Sequence, residues 1–67
     1  MQRVKEMLEM EFGTRVTVQG NVVKTTVKSI NGNQIWGLQE IYRKNDVKDV
    51  NFKRSGTGIT ILVTLKN

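Results

Sequence analysis

The chain contains no cysteine, no histidine and no proline among its 67 residues. Without cysteine there is no disulfide. Without cysteine or histidine there is no thiolate or imidazole metal site, and no Ser–His or Cys–His catalytic pair. Without proline nothing forces a break, so punctuation falls to six glycines and to Asn and Asp. No apolar run approaches the ~20 residues of a membrane span, and no apolar block has the length of a signal peptide. These absences predict a cytoplasmic protein with no membrane partner. The chain opens on Met1 and is read as a complete small protein.

At 7.7 kDa it is shorter than an ordinary domain, so residues 1–67 are expected to form one small domain. A core of this size is marginal. Apolar residues make up 37% and charged residues 25%, the balance of a globular chain and not of a disordered one. Eleven basic residues against six acidic ones leave a net charge of +5.

The spacing predicts a helix over residues 2–12. Val4, Met7, Leu8 and Phe12 recur on one face, and Gly13 stands where a helix would end. The period then drops to two. Val16 and Val18 alternate with Arg15, Thr17 and Gln19, and Gly20-Asn21 supplies a turn. A second strand follows from Val22, with Val23, Thr25 and Val27 inward and Lys24, Thr26 and Lys28 outward. Asn31-Gly32-Asn33 is a break. Beyond it Ile35, Leu38, Ile41 and Tyr42 fit one helix face, and Asn45 can take the left-handed position after the helix. In the competing reading Asn31-Gly32 turns a hairpin and Gln34–Lys44 is strand. Residues 48–54 alternate again. Ser55-Gly56-Thr57-Gly58 is a loop, and the alternation of Ile59, Ile61, Val63 and Leu65 predicts the most buried strand.

The halves repeat weakly. A shift of about 34 residues carries Val4 to Leu38, Val16 to Val50 and Val18 to Phe52, and a shift of about 36 carries Val23, Thr25 and Val27 to Ile59, Ile61 and Val63. The two extra residues are expected in the second hairpin loop. The predicted fold class is α+β: a two-layer α-β-β-α-β-β sandwich with a four-stranded, mainly antiparallel sheet and two helices on one face. The alternative is a small SH3-like β-barrel with an N-terminal helix. The two differ at Gly37, where alanine should stabilise a helix that has room for a methyl and should disturb a barrel strand.

Nothing supplies a nucleophile with an adjacent base, so the chain is read as non-enzymatic and without a cofactor or metal. The four glutamates lie on the predicted helices, facing solvent, and Asp46 and Asp49 fall in the turn before a strand. Gly56-Thr57-Gly58 lacks the Lys-Ser/Thr and the following helix of a phosphate loop. Charge placement says more. Arg15, Lys24, Lys28, Lys53 and Lys66 fall on the outward sheet face among threonines, with no acid there. Such a face can neutralise phosphates, so the first expectation is nucleic-acid binding through the backbone. The competing explanation is a solvated face whose lysines guard edge strands. Phe12, Phe52 and Tyr42 are assigned to the core, which leaves no aromatic on the basic face for stacking bases.

The second expectation is a protein partner, with the chain acting as a small inhibitor or an assembly component, or a homodimer. Trp36 lies off the apolar helix face beside Glu40 and Arg43, and Trp and Arg are enriched at binding hot spots. The competing explanation, and the favoured one, is that Trp36 caps the end of a small core. Leu62 is outward on an otherwise apolar strand, and if Val22 and Ile30 join it the open sheet face could bury itself against a partner.

Overall fold

The computed structural model describes residues 2–66. Its elements are α1 (Gln2–Phe12), β1 (Val16–Gln19), β2 (Val22–Val27), α2 (Gly32–Lys44), β3 (Val47–Ser55) and β4 (Gly58–Leu65). The strands pair antiparallel in the order β1-β2-β4-β3, with β1 and β3 as free edges. The sheet is therefore open, with both helices on one face, and residues 34–44 are helix and not barrel strand. No helix among the described residues is long and apolar enough to cross a membrane.

Helix α1 buries Val4, Leu8 and Phe12 and ends where the Gly13 N–H donates to the Glu9 carbonyl at 2.8 Å. Helix α2 starts earlier than its apolar pattern suggests. The Asn31 side chain accepts from the Gln34 N–H at 2.9 Å, and the Gln34 side chain accepts from the Asn31 N–H at 3.0 Å. Two otherwise orphaned donors are thus satisfied reciprocally, and the expected break is a capping box. At the other end Asn45 is extended (φ −129°), not left-handed. Its side-chain amide donates to the Ile41 carbonyl at 3.0 Å and satisfies with a side chain what a left-handed residue would satisfy with its backbone.

Both hairpins close with two residues, Gly20-Asn21 after Gln19 and Gly56-Thr57 after Ser55. In each, the first turn residue has positive φ, 62° at Gly20 and 60° at Gly56, the type II′ pattern that matches strand twist. The second loop therefore does not hold the extra residues of the repeat. They lie at the front of β3, which has nine residues against four in β1 and a bulge between Val47 and Asp49. Val16 pairs with Thr25 and Phe52 with Ile61, so Phe52, not Val50, holds the place of Val16.

The core joins Val4, Leu8, Phe12, Leu38 and Ile41 of the helices to Val16, Val23, Val27, Val47, Ile61, Val63 and Leu65 of the sheet. Thr25 is buried among them, and its hydroxyl donates to the Arg15 carbonyl at 2.9 Å. Tyr42 and Phe52, expected in the core, are 50% and 53% exposed, and Val18 is also exposed. These residues point to the helix side, but the β3 and β1 edges reach past the cover that two helices provide.

Candidate binding surfaces

The registers set the outward face in rows across the sheet. The middle row runs Thr17, Lys24, Leu62, Asn51. The next row toward the β3–β4 loop contains Thr26, Thr60 and Lys53, with the Thr26 and Thr60 hydroxyls 3.0 Å apart. Arg15 lies at the β1 end of this region. It lines a shallow depression of about 260 Å³ with Thr17, Lys24 and Thr26. Lys28 is one residue past β2 at the same end of the sheet and is exposed. The row at the opposite end runs Gln19, Val22, Thr64, Asp49.

Arg15, Lys24 and Lys53 therefore share the outward face, and Lys28 stands at its margin. Lys66 is apart from them. It follows β4 at the far end, where its N–H donates to the Asp46 carbonyl at 2.8 Å and it shares a pocket with Arg3 and Asn45. The face is not free of acid. Asp49 lies within β3 and not in the turn before it, because the strand begins at Val47. Its carboxylate accepts from the Val50 N–H at 3.0 Å and from the Asn51 side chain at 2.8 Å.

The ion pairs among the described residues lie within the helices. Lys5 pairs with Glu9, and Glu40 pairs with Arg43 and Lys44, each pair within one helix. Among the described residues, Arg15, Lys24, Lys28 and Lys53 have no ion-pair partner. The hydrogen bond from Arg43 is the main cause that holds the Glu40 carboxyl below the usual glutamate range. The same bond pushes the Arg43 guanidinium further up. Arg43 is thus already engaged, with contacts of 2.8, 3.0 and 3.3 Å to Glu40. Glu11 is not simply solvent-facing either, since it lies against α2 beside Gly37, whereas Glu6 is exposed as expected.

Trp36 is 64% exposed and does not close the end of the core. It borders a cleft between α1 and α2 with Met7, Met10 and Lys44. Leu62 is half-buried on the outward face, where Val22 adjoins it, whereas Ile30 packs against the core. Trp36 and Leu62 lie on opposite sides of the sheet and cannot serve one contact. A further surface is not evident from the sequence. Ile35, Leu38, Tyr42, Val50 and Phe52 line an apolar groove of about 310 Å³ between α2 and the β3 edge. The helical spacing of Ile35, Leu38 and Tyr42 is its available signal, but spacing does not show that this face overhangs an edge. No protein-family model matches the chain, and no curated protein matches it at a significant level.

Proposed function

We propose that the protein binds nucleic acid, without catalysis, through phosphate contacts on the outward sheet face. The observation that supports this reading is the grouping of Arg15, Lys24, Lys28 and Lys53 toward one end of the open face, none of them with an ion-pair partner among the described residues. The Thr26 and Thr60 hydroxyls lie between them, and Asp49 lies at the other end. With strands about 4.8 Å apart, Arg15 and Lys53 span roughly 14 Å across the sheet. A phosphate backbone laid across that span would release counterions at each contact. Tyr42 and Phe52 lie on the helix side, so no aromatic is available to stack bases, and recognition would be weakly sequence-specific.

The test is a salt titration of DNA and RNA binding. The double variant Arg15→Ala/Lys24→Ala should weaken all sequences alike and flatten the log–log salt slope by about 1.4 to 1.8, the loss of two contacts. Lys66→Ala should change it less. Absence of binding at about 50 mM salt rejects the reading.

A second reading, a protein contact through Trp36, draws on its exposure beside Met10, itself 85% exposed. Its tryptophan fluorescence should be red-shifted in the free protein and move to the blue when a partner covers it. A blue maximum in the free monomer removes Trp36 as an anchor.

A further inference from the structure

Strand β3 is a nine-residue free edge, and β1, the other edge, has four. A long edge displays backbone groups outside the ladder, a template for another strand. The Val50 N–H is held by the Asp49 carboxylate at 3.0 Å, a contact that an incoming strand and its lysine would replace. The apolar groove of Ile35, Leu38, Tyr42, Val50 and Phe52 runs beside it. An edge strand flanked by a helix and an apolar groove is the arrangement that accepts an added strand.

The sequence of β3 specifies which strand. Val50 and Phe52 point to the helix side, in register with Val63 and Ile61, and Asp49, Asn51 and Lys53 point outward. A second β3 laid antiparallel with Asn51 opposite Asn51 brings Val50 against Phe52 twice, on the helix side. It brings Asp49 against Lys53 twice, on the outward side. The neighbouring centres fail. Centred on Val50, the register sets Lys48 against Phe52. Centred on Phe52, it sets Val50 against Arg54. Centred on Asp49 or on Lys53, it places two like charges directly opposite each other. Only the Asn51 register matches apolar with apolar and acid with base. Its unfavourable match, Lys48 opposite Arg54, falls in the bulge, where Lys48 has no partner in the β3–β4 ladder.

We propose that two copies of this chain join through their β3 edges, antiparallel about Asn51, into a continuous eight-stranded sheet. Helices pack about 8–10 Å apart, close to two strand spacings of about 4.8 Å, so two α2 helices set over the joint close the cover that one α2 leaves short at the β3 edge. Each α2 meets its counterpart over the joint, where the half-exposed Tyr42 and Phe52 of both copies become buried. The two-fold axis makes the contact closed and self-complementary. This pairing does not depend on nucleic-acid binding.

The test is the mass of the purified full chain by sedimentation equilibrium across a concentration series, without nucleic acid. The wild type should approach twice 7.7 kDa. Asp49→Lys sets lysine against lysine at two places, and Lys53→Asp sets aspartate against aspartate. Each should raise the dissociation constant by roughly tenfold or more. The double variant Asp49→Lys/Lys53→Asp restores opposite charges and should recover wild-type association to within about threefold. Both positions are exposed in the single chain, and circular dichroism checks that each variant is folded. A monomer at all concentrations up to about 1 mM overturns the proposal. So does a dimer indifferent to the single charge changes, or a double variant that stays as weak as the singles.

Discussion

The Glu11 side chain lies across Gly37, where α1 meets α2. A Cβ at position 37 would come within 2.9 Å of Glu11 Cγ, and closer still to its carboxyl group. Gly37 is buried and helical, so the glycine that weakens α2 by propensity is also where the other helix rests a side chain. Alanine there gains up to about 1 kcal/mol of helix propensity but must push the Glu11 side chain aside. Gly37→Ala alone should therefore be near neutral. In a Glu11→Ala background the same change should recover most of that gain. Urea denaturation of the four proteins measures the coupling, and equal effects in both backgrounds would show that Glu11 does not restrain the site.

Gly58 differs from its neighbour in the same loop. Gly56 is required by the turn, but Gly58 lies in β4, and a Cβ there would sit 2.6 Å from the Val27 carbonyl oxygen. That oxygen belongs to the backbone of an adjacent strand and cannot swing away. Gly58→Ala should cost about 1–3 kcal/mol. Gly32, with nothing within 4 Å of its Cβ position at the start of α2, should tolerate alanine or gain a few tenths of a kcal/mol. Melting curves that rank the two variants the other way would contradict the close approach.

These glycines also mark how far the sequence can be read. Period and β-branching locate α1 and the four strands, because each reports which side of an element is apolar, whereas residues 34–44 fit a helix or a strand until the fold decides for α2. The inward set Val23, Thr25 and Val27 is buried as that pattern requires. What lies beyond reach depends on distant parts of the chain. Nothing local to Gly58 reveals the Val27 carbonyl, and nothing local to Gly37 reveals Glu11. Asp49 falls inside the alternating run 48–54 yet reads as part of the turn that holds Asp46, and its place opposite Thr64 on the outward face requires the β3–β4 register. The cations Arg15, Lys24 and Lys53 can be placed on one face by alternation alone. The departure of Lys66 from them requires the register at the end of β4.

Glu40 provides a pH probe of α2. Its carboxyl is held below the usual glutamate range, chiefly by the Arg43 hydrogen bond. Because the folded value is depressed, the stabilisation is full at neutral pH, where Glu40 is ionised. It is lost as the pH falls through that depressed value. Carboxyl titration by NMR should show a Glu40 midpoint below 4.5, the ordinary glutamate value. Arg43→Gln should raise it. An unchanged midpoint in that variant would assign the depression to Lys44 instead, whose Nζ is 3.5 Å from Glu40.

The two phenylalanines should respond unequally to truncation. Alternation and helical spacing assign both to the apolar side of their elements, yet Phe12 is 9% exposed and Phe52 is 53% exposed. Direction and cover are separate quantities. Phe12 ends α1 inside the core, whereas Phe52 points to the helix side of an edge strand where α2 covers only part of the ring. Removing Phe12 leaves a cavity among packed neighbours and should cost about 3–5 kcal/mol, enough to unfold a domain with so small a core. Removing Phe52 opens a groove already reached by solvent. In a dilute monomer Phe52→Ala should cost about 1 kcal/mol or less, on the scale of a surface substitution with partial burial. Denaturant titrations at low protein concentration give the comparison, and comparable losses at the two positions would mean that the β3 edge is as well covered as the core.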